Sequence, residues 1–244
     1  MRIAVLSDIH ANGAALEAVM NDIVEQNCEH VFCLGDLVLG GPQPVEIMDY
    51  VMEQNAWTII QGNTDKMIAL YNDEIKEHLR EKFPVMANAM EDDVKYLSEN
   101  HKAFLGNLPP VLSLEVEGVT VLLVHGSPRA NNEDILPGMK IETVEEIIQG
   151  TTEKLILYGH THLPAGYQTS KGQTVVNVGS VGRPMTENPR ASYAIIDFND
   201  GNFEVNHRFV KYDNFAASDA MNARTFEGAD TLAQMLIAPM ERHV

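Results

Sequence analysis

Short apolar runs recur along the chain and alternate with segments of helical spacing. The first run covers residues 2–6, and apolar residues at helical spacing follow it at 12–26. A branched apolar run of this length predicts a buried parallel strand, and the spacing behind it predicts a helix packed on the sheet. The pattern repeats with a strand at 31–36, a helix at 45–54 after Pro44, and a short strand at 57–62. This alternation predicts an α/β fold.

The middle of the chain predicts helices. Residues 63 to about 108 have helical spacing, which Pro84 interrupts and Pro109-Pro110 ends. We interpret residues 66–108 as a helical cap or flank of the sheet. The charged stretch 91–95, together with His78 and His101, is predicted to lie on solvated helix faces.

The second half of the chain predicts more strands than helices. A hairpin is expected around Glu117-Gly118, a short acidic helix at 140–150, and a further apolar strand from Leu155. Four later segments predict a β-meander with Asn199-Asp200-Gly201 as a hairpin turn: 166–172, 173–179, 190–198 and 203–211. The tail, residues 213–244, predicts helices that fold back on the sheet.

Composition limits the class of protein. With 244 residues, 45% hydrophobic and 21% charged, the chain predicts one globular domain over residues 1–244. We expect no membrane segment, because no apolar stretch reaches about 18 residues, and a cytoplasmic location, because a strand begins directly after Met1. A net charge of -18 argues against nucleic acid as a general partner. Composition leaves the oligomeric state open.

Polar side chains follow the ends of five predicted strands. Seven of them are of types that bind metals: Asp8, His10, Asp36, Asn63, His125, His160 and His162. Because the carboxyl ends of parallel strands open onto the binding crevice of a sheet, we expect these side chains to meet. Alternate side chains of an extended strand share a face, so Asp8 and His10 are expected to point at one object. On its own, Asp-x-His also fits a turn aspartate and a surface histidine.

The spacing of these residues resembles the calcineurin-like metallophosphoesterase superfamily. The blocks of that family are Asp-x-His, Gly-Asp, Gly-Asn-His-Asp/Glu, Gly-His or His-Gly, and Gly-His-x-His, and all five occur here in order, one of them altered. The segments 35–44 and 177–184 make the chain similar, more narrowly, to small bacterial and archaeal phosphodiesterases. The resemblance covers residues 1–212. It implies a four-layer α/β/β/α sandwich with a mixed β-sheet core, followed by a helical tail.

The resemblance also implies two divalent transition metal ions. Carried over by position, one ion would be bound by Asp8, His10, Asp36 and His162, and the other by Asp36, Asn63, His125 and His160. Asp36 would bridge them, and Asp36, Asn63 and Asp65 would form the catalytic set. A donor set without thiolate suits Mn, Fe, Co, Ni or Zn, with Mn favoured. Such a centre clamps a small phosphate ester and activates a bridging water as hydroxide for in-line attack.

One block departs from the family pattern. It reads Gly62-Asn63-Thr64-Asp65, so threonine replaces the histidine that protonates the leaving oxygen. Without this acid, esters with good leaving groups should react best, and we favour a phosphodiesterase. Arg129 and Arg183 are candidates for binding the substrate phosphate. A phosphomonoesterase or protein phosphatase is the alternative activity. A protein-binding scaffold is another, since the family includes retromer subunits that have lost ligands.

Overall fold

Residues 1–238, the part of the chain that the computed structural model describes, form ten strands and nine helices. The strands are β1 (Arg2–Leu6), β2 (His30–Cys33), β3 (Trp57–Ile59), β4 (Val111–Val116), β5 (Val119–Val124), β6 (Leu155–Tyr158), β7 (Ala165–Gln168), β8 (Thr174–Asn177), β9 (Ala191–Asn199) and β10 (Asn202–Val210). The helices are α1 (Gly13–Glu25), α2 (Pro44–Met52), α3 (Asn63–Ala69), α4 (Asp73–Lys82), α5 (Pro84–Tyr96), α6 (Glu99–Asn107), α7 (Ile141–Ile147), α8 (Asn214–Asn222) and α9 (Ala229–Ile237).

The strands form two five-stranded sheets, each with parallel and antiparallel pairs. The first has the order β10-β9-β1-β2-β3, in which β1, β2 and β3 are parallel and β9 is antiparallel to β1. The second has the order β4-β5-β6-β8-β7, with β5, β6 and β8 parallel. The predicted mixed α/β class is confirmed.

Alternation along the strands places apolar side chains on both faces of each sheet. In β1, Ile3 and Val5 pack between the sheets, whereas Ala4 and Leu6 face the helices. A third apolar cluster lies between the outer face of the second sheet and α7. The layers are therefore helix, sheet, sheet and helix, and the predicted four-layer sandwich is confirmed.

The predicted single β-meander is wrong. Strands β7 and β8 pair in the second sheet, whereas β9 and β10 pair in the first. The chain crosses between the sheets after β8, and the backbone N–H groups of Val181 and Gly182 bond to the carbonyls of Ser7 and Asp8 on the way. Local alternation predicts strands but does not show which sheet they join. The hairpin turn at Asp200-Gly201 is confirmed.

Helices α3 to α6 occupy the segment that predicts a helical flank. The break at Pro84 is confirmed, because α4 ends at Lys82 and α5 begins at Pro84. The prediction of solvated faces is wrong for Asp93 and His101, which are both buried. Helix α5 packs against α2 and against the tail helix α9, and His101 bonds to Asp49 of α2. Tertiary packing covers side chains that the charge pattern assigns to solvent.

The tail forms helices, as predicted, but it packs on other helices. Helices α8 and α9 pack against each other, α8 against α1, and α9 against α5. Residues 239–244 lie outside the described residues, and so does His243, which the sequence predicts to be structural or exposed. Between residues 1 and 238, no helix combines the length and apolarity that crossing a membrane requires.

Candidate metal centre

Five of the seven predicted metal ligands come together behind the strand ends. They form two groups, Asp8 with His10 and His162, and Asp8 with Asp36 and His125. Within each group, the candidate ligand atoms lie within 4.8 Å of one another. All five side chains are buried. The structure therefore gathers residues that are up to 154 positions apart in the sequence, from Asp8 to His162.

Two carboxylates lie at the middle of these groups. Asp8 Oδ1 is 3.1 Å from His162 Nε2, 3.7 Å from His10 Nε2 and 3.8 Å from His125 Nε2. Asp36 Oδ2 is 3.3 Å from His125 Nε2 and 3.8 Å from His10 Nε2. Asp36 therefore lies beside one imidazole of each group, but Asp8 is the residue that both groups share, and the bridging role of Asp36 stays a prediction.

Backbone carbonyls orient the histidine rings by contacting the nitrogen that points away from the carboxylates. Their Nδ1 atoms contact backbone carbonyls: 2.9 Å from His10 to Leu39, 2.7 Å from His125 to Leu34, and a short contact from His162 to Arg183. Because a carbonyl accepts only, each Nδ1 donates to its carbonyl, and each Nε2 is turned toward the carboxylates. Such carbonyl contacts are the usual support of metal-binding histidines.

The centre fits a divalent cation. Asp8 Oδ1 is buried and has no hydrogen-bond partner among the described residues, which is costly for a charged oxygen. His10 Nε2 and His162 Nε2 lie 3.1 Å apart, so two inward lone pairs would face each other. A cation bound by these atoms removes both problems. Imidazole with carboxylate is the donor set of Mn, Fe, Co, Ni and Zn.

Left-handed backbone turns the candidate ligands inward. Strand β1 ends at Leu6, and Asp8 and His10 have φ values of 57° and 45°. The argument from alternation in an extended strand is therefore wrong, although the two side chains do converge. Asp36, His160 and His162 also have positive φ values. Such conformations are uncommon outside glycine and mark sites where the surroundings fix the backbone. Here Asp8 N–H bonds to Gly35 and His10 N–H to Asp36.

The other two predicted ligands lie at the edge of the centre. Asn63 Oδ1 is 3.0 Å from His125 Nε2, so the amide is next to the second group. The ring of His160 packs edge-on against His125, with 5.3 Å between ring centroids. Its Nε2 faces Asp134 Oδ1 at 3.3 Å, and its backbone N–H donates to Asp8 Oδ2. The ligand roles of Asn63 and His160 stay predictions.

The segment after β3 supports Asp36. Thr64 N–H donates to Asp36 Oδ1 at 2.9 Å, and the Thr64 hydroxyl donates to the Val38 carbonyl at 3.1 Å. Gly62 packs so closely that a Cβ there would lie 2.1 Å from Asp36 Oδ1. Only glycine fits at this approach.

Asp65, predicted as catalytic, holds backbone in place. Its oxygens accept from the N–H groups of Gly62, Asp36 and Leu37 at 2.8 to 2.9 Å. Both of its oxygens are engaged, so the structure shows a positioning role that the sequence reasoning missed. The available signal was its place three residues after Gly62, the position of an acidic helix cap.

Burial and neighbouring charges shift the pKa values within the centre. Burial raises the pKa of both Asp8 and Asp36, but the histidines outweigh it, leaving the Asp8 pKa well below its usual value and that of Asp36 at about 2. Burial lowers the pKa of His125, and the two carboxylates raise it to about 10. His162 faces Asp8 but also His10, and burial leaves its pKa lowered. Burial and Asp36 raise the pKa of Asp65 to about 6.

The two predicted phosphate-binding arginines have different surroundings. The guanidinium of Arg183 is held near Met86 Sδ at 3.5 Å and Met235 Sδ at 3.7 Å. Burial lowers its pKa, while the charges of Asp36 and Asp8 act in the opposite direction. Arg129 has a side chain that is 51% exposed and paired with Glu133. The carbonyl of Arg183 contacts the candidate ligand His162, whereas Arg129 is paired with Glu133 away from the ligands.

Known proteins resemble this chain along most of its length. Residues 1–201 match the family model described as the calcineurin-like phosphoesterase superfamily domain. An uncharacterized protein of Methanocaldococcus jannaschii is 30% identical over 225 residues, which cover 86% of this chain and 88% of that protein. The crystal structure of a metallophosphoesterase from Sphaerobacter thermophilus is 29% identical with a TM-score of 0.74, covering 98% of both chains.

A further solved structure shows the same fold. A hypothetical protein from Pyrococcus horikoshii superposes with a TM-score of 0.86 at 21% identity, covering 99% of both chains. The chain belongs to the calcineurin-like phosphoesterase superfamily, as the sequence motifs predict. This membership supports a hydrolase of phosphate esters.

Proposed function

We propose that this calcineurin-like phosphoesterase is a two-metal phosphodiesterase that acts on a small phosphate ester. The observation that carries the proposal is the buried Asp8 Oδ1, which accepts no hydrogen bond from the described residues and has three imidazole Nε2 atoms within 3.8 Å. One ion would be held by Asp8, His10, Asp36 and His162, and the second by Asp36, Asn63, His125 and His160. We favour Mn for both positions.

The residues around the centre have separate roles. The bound ions would supply Lewis-acid chemistry, polarising the phosphate and lowering the pKa of a water. Leu39, Leu34 and the Arg183 carbonyl orient the three rings, and Asp65 fixes the backbone of Asp36. We assign the Arg183 guanidinium to the substrate phosphate, because its positive charge interacts with the Asp36 and Asp8 carboxylates of the centre.

Thr64 sets the preference for the leaving group. Its hydroxyl proton is donated to the Val38 carbonyl, so it is not directed at a substrate oxygen. A site without this proton donor favours esters whose leaving oxygen is a weak base. This supports diesters with good leaving groups over alkyl monoesters. The net charge of -18 supports a small ester rather than nucleic acid as the substrate.

Turnover of matched esters tests the proposal. Chelator-treated protein resupplied with Mn²⁺ is assayed on bis(p-nitrophenyl) phosphate and on p-nitrophenyl phosphate, which share a leaving group. We expect Mn-dependent hydrolysis with the diester favoured. A strong preference for the monoester would instead support the phosphomonoesterase. Absence of turnover together with absence of bound metal would favour the scaffold.

A further inference from the structure

The C-terminal tail, which lies outside the region that matches the family model, contacts segments next to the candidate metal centre. The family model ends at residue 201, whereas α8 and α9 span Asn214–Asn222 and Ala229–Ile237. Two tail side chains nevertheless extend toward the centre. Met235 contacts Arg183, and Arg224, between the two helices, contacts the loop after β2. The contact of Arg224 is the more specific one, because its charged guanidinium donates a hydrogen bond to a backbone carbonyl.

Arg224 joins three segments of the chain. Its Nη1 donates to the Gly41 carbonyl at 2.7 Å. Its Nη2 lies 2.7 Å from Asp92 Oδ2 and 2.7 Å from Asp93 Oδ1, both in α5. The Arg224 side chain is only 9% exposed. The planar guanidinium, with five donors, can hold all three acceptors at fixed angles, which lysine cannot do.

The loop that Arg224 holds is the one that orients His10. The Leu39 carbonyl accepts from His10 Nδ1 at 2.9 Å. Gly41 packs on the same histidine, because a Cβ at Gly41 would lie 1.8 Å from the His10 carbonyl oxygen. Any larger residue would force the two backbones apart. A three-residue stretch therefore contacts both the ring and the backbone of one candidate ligand.

This loop needs outside support because its backbone is strained. Leu39 is buried and has a φ of 85°, and Gly40 follows with a φ of 81°. A leucine at positive φ is strained and persists only where the surroundings fix it. The hydrogen bond from Arg224 to Gly41 and that from Thr64 to Val38 fix the loop on either side of Leu39.

We propose that Arg224 is a positioning residue of the metal centre, which holds the 38–41 loop through the Gly41 carbonyl and thereby fixes His10 for metal binding. The inference rests on the metal centre of the proposed function, but not on its substrate. By this inference, the tail supports a metal ligand in addition to packing against helices.

Substitutions of Asp93 and of Arg224 itself separate positioning from charge balance. Asp93→Asn removes one buried charge but leaves Arg224 bound to Asp92 and Gly41. Arg224→Gln removes the guanidinium that reaches Gly41. If charge balance alone mattered, both variants would affect metal binding. If positioning matters, only Arg224→Gln should.

A matched arginine elsewhere serves as the control. Arg208 in β10 bonds to Asp22 in α1 through Nε at 3.0 Å and Nη2 at 2.6 Å. It resembles Arg224 in making a two-nitrogen carboxylate pair between two elements, but its partner is not in the 38–41 loop. Arg208→Gln should lower stability without changing metal affinity.

Calorimetric titration of the full-length, metal-stripped variants with Mn²⁺ tests the proposal. We expect Arg224→Gln to weaken the binding of one ion about tenfold, the lower end of the effect of supporting residues, with Arg224→Lys intermediate and Asp93→Asn and Arg208→Gln like the wild type. Folding is checked by circular dichroism. Wild-type affinity in folded Arg224→Gln would overturn the inference, as would an equal loss in Arg208→Gln.

Two further outcomes are also decisive. Should Arg224→Gln not fold, Arg224→Lys decides, and wild-type Mn²⁺ affinity in that variant overturns the inference. A wild-type protein that binds no Mn²⁺ would overturn the proposed metal centre itself. The two failures are therefore distinguishable from one titration series.

Discussion

The molecule buries two pairs of carboxylates and balances their charges in different ways. At the metal centre, the ion pairs that Asp8 and Asp36 form within residues 1–238 are all with histidines. Next to the tail, Asp92 and Asp93 share the guanidinium of Arg224. Histidine can release its proton and bind a cation instead, whereas arginine stays charged. The charge that compensates Asp8 and Asp36 can therefore change, whereas the charge that compensates Asp92 and Asp93 cannot.

This difference indicates which cluster is built to bind something. A buried charge requires compensation, and a structural cluster carries it within the fold. The centre instead surrounds two carboxylates with imidazole nitrogens, and a cation from solution can bind there in place of the imidazole protons. Asp92 and Asp93 share a cation that the fold itself supplies, the Arg224 guanidinium, and they are not among the groups within residues 1–238 that could hold a metal ion.

The largest effect should come from Asp36→Asn. Asp36 lies beside imidazoles of both groups, so removing its charge should abolish binding of both ions and lower activity by more than about 100-fold, above the effect of supporting residues. Metal content by mass spectrometry and Mn-dependent diester hydrolysis are the measurements. Asp93→Asn is the matched control, since it also replaces a buried aspartate and should keep its metal. Unchanged metal content in Asp36→Asn would show that Asp36 is not the bridge.

A smaller effect should appear in the stability of Asp93→Asn. Burial raises the pKa of Asp93 to about 6, although the Arg224 charge acts to lower it. A raised folded pKa means that stability is full below the unfolded value of about 3.9 and is lost as pH rises through 6. The wild type should therefore lose up to about 3 kcal/mol of unfolding free energy from this group between pH 4 and 7.

The comparison of wild type and variant isolates that contribution. Urea unfolding at pH 4, 5.5 and 7 should show a smaller loss in Asp93→Asn than in the wild type. Asp22 gives a control of opposite sign. Burial raises the pKa of its carboxyl, but Arg208 and Tyr193 leave the pKa lowered, so its stabilising effect is lost as pH falls. Parallel losses in the wild type and in Asp93→Asn would contradict the assignment of Asp93 as the titrating group.

The sequence predicts the metal centre better than the cluster around Arg224 for a physical reason. Ligands such as Asp8 and Asp36 follow strand ends, and parallel strands bring their carboxyl ends to one edge. Arg224 and Asp93 are 131 positions apart, in the loop after α8 and in α5, and the packing of these segments follows no local period. The charge pattern of α5 therefore predicts solvent where the structure places a buried pair.

The same limit applies within the centre. The predicted convergence of Asp8 and His10 is correct, but its cause is a left-handed turn that side-chain alternation does not predict. The outward contact of His160 with Asp134 and the backbone contacts of Asp65 depend on loop geometry. Residue type and order predict which side chains meet, and backbone conformation decides which atoms face each other.

The smallest effect, and the one that connects the two regions, concerns Thr64. Its N–H bonds to Asp36 in the centre, and its hydroxyl bonds to Val38 in the loop that Arg224 holds. Thr64→His places an acid at the position of the family histidine, but the larger ring must leave Val38 and a site that is 6% exposed. General acid catalysis contributes about 10² to 10⁴-fold when aligned, and we expect a gain at the low end or below, limited to phenyl and alkyl esters.

Thr64→Val, which also loses the Val38 bond but donates no proton, separates the two effects. The measurement is the ratio of rates on phenyl and nitrophenyl diesters in variants that retain their metal. If Thr64→His and Thr64→Val change this ratio equally, the proton donor at residue 64 does not control selectivity, and the effect arises from the loss of support for the loop.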